Sequence, residues 1–354
     1  MREYNYDWRL NTAKFTKDKG TVFSCFSCGG GSTMGYKLAG FDVIGCNEID
    51  HRMMYAYCQN HIPKYPFLQP IQEFKDLPSL PKELFELDIL DGSPPCSSFS
   101  MAGNREKDWG KEKKFREGQQ VQVLDTLFFD FLDLAKRLQP KAVVAENVEG
   151  LLLGNAVSYV KEIYNKFEDA GYSCQHWLLD SSKMGVPQQR KRVFFIGLRK
   201  DIAAPLMRSI NFFEQKPLLD LDFNISPIPF SEIKSSHIDN PVGGEVLRVL
   251  GNAKYGETDL RYANERLKGK QSLFGYRLLY DKNIVSSIIA SGHRQIVFKE
   301  KRFLNDDEYI KAGSFPSDYN FCGNPIPYLI GMSVPPVMMA HIATRIWEYW
   351  LNKL

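Results

Sequence analysis

The sequence predicts an α/β protein in which a doubly wound, mostly parallel sheet carries helices on both faces, with a second, smaller lobe of mixed structure. Two observations support this fold class. Apolar, β-rich segments alternate with amphipathic helical ones through the first part of the chain, which is typical of βαβ units. After Arg199 the alternation stops, and about a hundred residues follow that are rich in turns, aromatics and mixed charge.

The predicted elements follow one another in a regular order. Strands are expected at TVFSCF, FDVIG, LDILD and KAVVAEN, with two more at residues 173–179 and 192–198. Helices are expected at residues 34–39, from His51 onward and at residues 128–138, and Ser32 and Thr33 are available to cap the first helix. The carboxy-terminal run VPPVMMAHIATRIWEYWLNKL has apolar residues at helical spacing behind two prolines, which suit a helix start.

The composition is that of an ordinary globular protein. The 354 residues are 44% hydrophobic and 25% charged, and a formal charge of +3 neither requires nor excludes a nucleic-acid partner. The amino terminus MREYNYDWRL has no apolar core of signal-peptide length, and no uninterrupted apolar run elsewhere approaches the roughly twenty residues of a membrane span. Seven cysteines favour free thiols, and the Cys25-x-x-Cys28 pair lacks the further ligands of a metal site. We therefore expect a cytoplasmic protein without a membrane partner or a metal.

A glycine-rich turn, FSCGGG at residues 26–31, follows the first predicted strand. A ligand can approach bare backbone there, although a tight strand-to-helix connection would have the same composition. The next strand ends in Asn47-Glu48-Ile49-Asp50, and an acid about twenty residues beyond a glycine turn often holds ribose hydroxyls. Neither dinucleotide nor phosphate-loop patterns are present, so a ligand with an adenosine but no pyrophosphate fits, and S-adenosylmethionine is one.

Two further strand ends carry groups that suit covalent chemistry. The stretch DGSPPCSSFS places Cys96 behind two prolines, whose fixed φ makes the chain leaving the strand stiff. Glu146 leaves the same edge of the predicted sheet. A thiolate and a carboxyl there could attack and protonate one unsaturated substrate, although a turn cysteine and a solvated strand-end acid are the simpler interpretations of each residue alone.

A basic cluster, GVPQQRKR, precedes the apolar strand VFFIG. Most charge clusters are solvated surface. Alternation along a strand would aim Arg190 and Arg192 at the same side, and two guanidiniums there suit a phosphate or a polar base edge.

The order of these motifs resembles that of the cytosine-C5 DNA methyltransferases. The matching stretches are FSCGGG, NEID, SPPCSSFS, DTLFFDFLDLAKRLQP, ENV, PQQRKRVFFIG, RFLNDDEYIKAGSFPSDY and GMSVPP. The resemblance implies a Rossmann-like methyltransferase with a catalytic, S-adenosylmethionine-binding domain over residues 1–200. Target recognition would fall in residues 201–296, and residues 297–354 would return to complete the catalytic domain.

The resemblance also implies a reaction. Cys96 would add to C6 of a cytosine flipped out of the duplex while Glu146 holds or protonates N3, and C5 would then take the methyl group from S-adenosylmethionine. Arg192 would contact the flipped base and Arg190 the backbone beside it. The charged segment at residues 104–119 would be a loop that closes over the base.

The cofactor pocket implied by the resemblance and by the glycine turn has twelve members. They are Phe26, Ser27, Gly29, Gly30, Gly31, Asn47, Glu48, Ile49, Pro95, Leu127, Ser333 and Val334. Three positions depart from the family pattern. Cys28 replaces a glycine, Gln69-Pro70 replaces a Gly-Asp that contacts adenine, and Met332 replaces an asparagine. We therefore expect an active enzyme with an altered adenine side.

The implied partner is double-stranded DNA, modified by a monomeric bacterial or phage-encoded enzyme, and a restriction endonuclease acting on the same site is a compatible second partner. One alternative is the related tRNA cytosine methyltransferase group, whose Cys-Phe-Thr element is not found here. A second is a catalytically silent nucleic-acid-binding module, which Cys96, Glu146 and Arg192 disfavour. A dehydrogenase is a third, but the glycine pattern does not match.

Overall fold

The computed structural model describes residues 3–95, 112–113, 122–123, 126–153, 157–211, 214–270, 275–290, 292 and 295–354. The chain forms two compact units. The first, which we call the sheet unit, comprises Lys14–Asp180, Lys191–Asp222 and Met339–Leu354. The second, the mixed unit, comprises Met1–Ala13, Ser181–Arg190 and Phe223–Met338. The assignment of functions to the ranges 1–200, 201–296 and 297–354 stays a prediction.

The described strands are β1 Thr21–Cys25, β2 Asp42–Glu48, β3 Tyr65–Leu68, β4 Ile89–Gly92, β5 Glu112–Lys113, β6 Gln122–Val123, β7 Ala142–Val148, β8 Tyr172–Asp180, β9 Gln188–Gln189, β10 Lys191–Arg199, β11 Met207–Asn211, β12 Glu214–Pro217, β13 Arg277–Leu279, β14 Val285–Ser286, β15 Gln295–Val297 and β16 Arg302–Phe303. The described helices are α1 Gly31–Leu38, α2 His51–His61, α3 Ile71–Lys75, α4 Leu127–Leu138, α5 Val157–Asp169, α6 Lys200–Ala203, α7 Phe230–Ile233, α8 Gly244–Leu250, α9 Arg261–Lys268, α10 Asp306–Ala312, α11 Ile326–Met332 and α12 Pro336–Tyr349.

The sheet unit is built on a seven-stranded sheet in the order β3-β2-β1-β4-β7-β10-β8. Its strands are parallel except β10, which runs antiparallel to both β7 and β8. The predicted doubly wound, mostly parallel α/β fold is confirmed.

Strand register brings the ends of the central strands to one edge. Cys25 at the end of β1 pairs with Asn47 on β2 and with Gly92 on β4, and Gly92 pairs with Ala145 on β7. Strands β2 and β3 lie on one side of β1, in chain order, and β4 and β7 lie on its other side. The order therefore reverses between β1 and β4, which is where open α/β sheets bind ligands.

Helix α4 shows how the core fixes this edge. Its apolar residues fall at helical spacing, and Leu127, Phe128 and Phe131 are each no more than 1% exposed. A Cβ at Gly92 would lie 2.6 Å from the Phe131 ring, so only glycine lets the end of β4 pack this closely against α4.

The mixed unit has a small core of its own. Strand β15 pairs parallel with β13 and antiparallel with β16. Arg302 on β16 is fully buried, and its guanidinium makes two hydrogen bonds, of 2.7 and 2.8 Å, to the carboxylate of Glu308. Such a buried pair persists only because both partners are present.

Within the described ranges, one stretch, Ile326–Lys353, is long and apolar enough by composition to cross a membrane. Of its most apolar part, 78% is buried inside the protein, and core helices are often as long and apolar. Helix α12 begins at Pro336, so the predicted helix start behind two prolines is confirmed.

Candidate active and cofactor site

The turn after β1 holds several residues in the left-handed region. The φ angle is 52° at Phe26, 47° at Cys28 and 80° at Gly30. The amide of Ser27 donates to the carbonyl of Asn47 at 3.3 Å, which ties the turn to β2. Because this region strains residues that have a Cβ, the surrounding contacts have to impose the conformation.

Gly30 is required by its neighbours as well as by its φ. A Cβ there would lie 2.3 Å from Nε2 of His61 and 3.1 Å from the ring of Tyr57. Burial holds the pKa of the His61 ring well below its usual value, so a neutral imidazole packs under the turn. The glycine turn therefore rests on the end of α2.

The predicted capping of α1 by Ser32 and Thr33 is wrong. The N-cap is Gly30, and no side chain caps the helix. The left-handed backbone at Gly30 lets the helix start at Gly31, which places both residues inside the first turn. Thr33 instead shares a 2.8 Å hydrogen bond with the hydroxyl of Tyr57.

Gly30→Ala is expected to lower the free energy of unfolding by about 2 to 5 kcal/mol, because backbone strain adds to overpacking. Gly171→Ala is the matched control, since Gly171 has a φ of +92° but a Cβ added there would meet nothing within 4 Å. It should cost about 1 kcal/mol. Urea denaturation of both variants measures the difference. Equal losses would show that the His61 contact does not constrain the turn.

Glu48 ends β2 with a buried carboxylate that binds backbone amides. Its Oε2 accepts from the amide of Cys28 at 2.8 Å, and its Oε1 accepts from the amides of Ile49 and Asp50 at 2.8 and 2.9 Å. Burial raises the pKa of Glu48, and these hydrogen bonds oppose the rise. A carboxylate has about four acceptor positions, so about one stays open on Oε2.

Asn47, predicted to bind cofactor, uses its side chain to join two strands. Its Nδ2 donates to the carbonyls of Phe67 and Gln69 at 3.2 and 2.8 Å. This positions Gln69, whose Nε2 is buried without a hydrogen-bond partner in the described part of the chain. A ligand or a water molecule that accepts a hydrogen bond would satisfy this amide.

The chain leaves β4 towards Cys96, which lies outside the described residues. The segment before it is held by Asn147, whose Nδ2 donates to the carbonyl of Pro94 at 3.1 Å. The Oδ1 of Asn147 accepts from the amide of Val148 at 2.8 Å, which fixes the side chain. The sequence analysis gives Asn147 no role. It lies in the Glu-Asn-Val tripeptide, one of the stretches that match the family, and that match was the available indication.

Glu146 and Arg192 form an ion pair at the end of β7. The Nε of Arg192 lies 2.9 Å from Oε1 of Glu146, and the two side chains are 16% and 11% exposed. In the antiparallel pairing of β10 with β7, Arg192 lies opposite Val148, two residues along β7 from Glu146, so the two side chains are diagonal neighbours. Burial lowers the pKa of Arg192, and the charge of Glu146 opposes that shift. The guanidinium thus holds the carboxyl in one orientation at the ligand-binding edge.

Arg190 has different partners from Arg192. Strand β10 begins at Lys191, so Arg190 lies outside the strand and the alternation argument does not reach it. In the mixed unit its Nη1 donates to the carbonyl of Ile288 at 3.0 Å and its Nη2 to that of Gly331 at 2.8 Å. A contact of Arg190 with DNA stays a prediction.

The other predicted residues fall in both units. The sheet unit contains Phe26, Ser27, Gly29, Gly30, Gly31, Asn47, Glu48, Ile49, Pro95 and Leu127. The mixed unit contains Ser333 and Val334, and there the hydroxyl of Ser333 donates to the carbonyl of Leu329 at 2.8 Å. Their roles in binding cofactor stay predictions. The predicted closing loop at residues 104–119 lies outside the described residues apart from 112–113.

The fold is that of known methyltransferase structures. It is similar to a crystal structure from E. coli described as a DNA modification methyltransferase encoded within a prophage, with a TM-score of 0.65 and 19% identity over 94% of this chain and 99% of that one. At this identity the likeness shows the fold alone.

The family follows from the sequence comparison. The family model of the C-5 cytosine-specific DNA methylases matches residues 20–348, and the chain belongs to that family. Its members use S-adenosylmethionine as methyl donor. The family predicted from the motifs is confirmed.

Two curated relatives show the extent of the likeness. The type II methyltransferase M.FnuDI of Fusobacterium nucleatum is 36% identical over 51% of this chain and 47% of its own length. The type II methyltransferase M1.HphI of Haemophilus parahaemolyticus is 27% identical over 94% of this chain and 88% of its own length. The matched part thus spans about half of M.FnuDI and most of M1.HphI.

Proposed function

We propose that the protein transfers a methyl group from S-adenosylmethionine to C5 of cytosine within a specific sequence of double-stranded DNA. Family membership supports this activity. The observation that carries it is the buried Glu146–Arg192 pair, which lies at the end of β7 beside the Pro94 segment that leads to Cys96.

The proposed chemistry starts with Cys96. Cytosine C5 is a poor nucleophile until a group adds to C6, and the Cys96 thiolate supplies that group. Glu146 holds or protonates N3, so the electrons displaced from the C5–C6 bond accumulate at C5 with the ring's charge neutralised. After methylation a base, which water can supply, removes the C5 proton; the C5–C6 double bond re-forms, the Cys96 thiolate is expelled, and N3 returns its proton to Glu146.

Arg192 positions Glu146 for this task and is available to the flipped base. The cytosine has to leave the duplex to reach these residues, at a cost of a few kcal/mol. Asn147 holds Pro94, and through it the stiff Pro-Pro segment that aims Cys96. Arg192 and Asn147 thus keep Glu146 and the Cys96 segment in place, and catalytic groups must be held close to the geometry in which they react.

The residues at the ends of β1 to β3 fit S-adenosylmethionine. When bound, the cofactor supplies the methyl group. Glu48 has about one acceptor position for a ribose hydroxyl, and the buried Nε2 of Gln69 is a hydrogen-bond donor that suits a ring nitrogen of adenine. A free carboxylate at a strand end could accept hydrogen bonds from both ribose hydroxyls. Because three backbone amides already bind Glu48, its Oε2 has room for only one of them.

Glu48→Ala is expected to weaken S-adenosylmethionine binding by about ten- to a hundredfold, because a hydrogen bond to a charged acceptor is lost and the Cys28 turn is released. Calorimetry with the cofactor measures the change. Glu73→Ala, an acid in the first turn of α3, is the matched control and should leave affinity unchanged. Normal affinity in Glu48→Ala would remove Glu48 from the site.

The proposed partners follow from the relatives. Both curated relatives are named type II methyltransferases, which supports a cognate restriction endonuclease acting on the same site. We propose that the enzyme acts as a monomer on bacterial or phage DNA in the cytoplasm.

Methyl transfer with labelled S-adenosylmethionine tests the proposed function. The purified protein should label duplex DNA, and bisulfite sequencing of DNA from cells that express it should show one methylated sequence context. Label in tRNA but not in DNA would favour the RNA alternative. A folded protein that labels neither would overturn the proposal.

A further inference from the structure

Asp91 is a buried carboxyl for which the proposed reaction has no use. It lies on β4, is 1% exposed, and pairs in register with Ser24 on β1. Its Oδ2 accepts from the Ser24 hydroxyl at 2.8 Å and its Oδ1 from the Tyr36 hydroxyl at 3.3 Å. A carboxyl costs several kcal/mol to bury in ionised form unless a cation or hydrogen bonds compensate it.

The hydrogen-bond donors to Asp91 are neutral hydroxyl groups, and no ion pair includes it in the part of the chain that the structure describes. Among the described residues, the titratable groups with the largest effects on it are acidic or neutral. They are Cys25 on β1, Tyr36 on α1, Tyr57 on α2 and Glu146 on β7. A positive charge brought close to Asp91 would therefore stabilise its ionised form.

The order of the strands shows where such a charge would lie. The ribose is assigned to Glu48 at the end of β2, and the reacting base to the ends of β4 and β7. Adjacent strands are about 4.8 Å apart, so a methyl donor that reached from one of these places to the other would hold its sulfur over the ends of β1 and β4. Ser24 and Asp91 lie side by side near the ends of those two strands.

We propose that the Asp91 carboxylate is the counter-charge of the S-adenosylmethionine sulfonium, so that the protein binds the charged donor more tightly than the neutral sulfide product, S-adenosylhomocysteine. The inference rests on the proposed function and assigns to Asp91 the discrimination between donor and product. Donor and product differ at this point by one methyl group and one positive charge.

The protonation of Asp91 makes the idea measurable. Burial raises the pKa of the Asp91 carboxyl to about 7, opposed by hydrogen bonds from Ser24, Tyr36 and Ser32 and reinforced by Glu146. A bound cation favours the ionised form and lowers this pKa. Donor affinity should therefore rise with pH up to the pKa of the free protein and level off above it.

The experiment is calorimetry of the full chain with S-adenosylmethionine and S-adenosylhomocysteine, from pH 6 to 8 and in buffers of different ionisation enthalpy. For a tenfold coupling, donor affinity should rise about fivefold over this range, with about 0.4 proton released per donor bound at pH 7. Product affinity should change less than about twofold and release almost no proton.

Asp91→Asn should weaken donor binding about tenfold at pH 8, leave product binding unchanged and abolish the pH dependence of the ratio. Tyr36→Phe is the control, since it removes one hydrogen bond and keeps the carboxyl. Equal losses for both ligands in Asp91→Asn would make Asp91 structural and overturn the inference. Should that variant not fold, absence of proton release by the wild type overturns it. A folded wild type that binds neither ligand overturns the proposed function as well.

Discussion

Glu146→Gln is expected to slow methyl transfer by about 100- to 10,000-fold while binding of duplex DNA changes little. Glutamine keeps the size and the hydrogen-bonding ability of the side chain, but it cannot share a proton with N3 of the cytosine. It also leaves the Arg192 guanidinium, 16% exposed, without the carboxylate that it contacts directly, although the charge of Glu149 still acts on it. Single-turnover transfer of labelled methyl groups measures the rate, and a filter-binding assay measures DNA affinity.

Glu149→Gln is the matched control for this experiment. Glu149 lies three residues further along the chain, and its carboxylate makes a more exposed contact of 3.8 Å with Lys191. Exposed pairs contribute about 0 to 1 kcal/mol, so this variant should methylate DNA nearly as fast as the wild type. A comparable loss of rate in both variants would show that Glu146 has no special part in the reaction.

Arg192→Met is expected to lower the free energy of unfolding by about 3 kcal/mol and methyl transfer by about a hundredfold. The substitution removes the guanidinium that compensates Glu146, whose side chain is 11% exposed, and so leaves a buried carboxylate unpaired. The double variant with Glu146→Gln should recover part of the stability, because no buried charge is then left. Urea denaturation of the single and double variants measures the coupling.

Arg248→Met provides the comparison. Arg248 pairs with Glu245 at 2.7 Å, but the two side chains are 55% and 47% exposed. Solvent screens such a pair, so the variant should be almost as stable as the wild type. If Arg192→Met and Arg248→Met lost equal stability, burial would not be what makes the Glu146–Arg192 pair important.

The sheet was largely predictable because its strands are apolar runs with turn residues between them. The direction of β10 was not, since VFFIG is apolar throughout and such a run carries no sign of whether it lies parallel or antiparallel to β7. Strand β3, with the sequence YPFL, was missed because it is four residues long and contains a proline, as edge strands do.

The candidate site was predictable where one residue type at a strand end implies one kind of chemistry. Glu48 is the last residue of β2 and Glu146 lies two residues before the end of β7, close to where their positions in the sequence indicated. The hydrogen bond from the Cys28 amide to Glu48 could not be predicted. It forms because the turn at Cys28 folds back onto β2, and no local sequence pattern indicates that fold.

Asp91 shows the same limit. In the sequence it is the last residue of LDILD and is indistinguishable from a solvated acid at the end of a strand. Its burial arises because α1 packs Tyr36 over it, and that contact joins residues 55 positions apart. Asp91 is therefore buried because of tertiary packing, which the local sequence does not indicate.

The central claim, covalent attack by Cys96 on a flipped cytosine, is tested most directly with a duplex that carries 5-fluorocytosine at the target position. Fluorine at C5 cannot leave as a proton does, so the final elimination is blocked and the enzyme should stay attached in the presence of S-adenosylmethionine. We expect a denaturant-resistant complex that peptide mass spectrometry maps to Cys96 and that Cys96→Ser abolishes. An adduct through Cys25, Cys28 or another thiol, or no adduct from a protein that methylates ordinary duplex DNA, would contradict it.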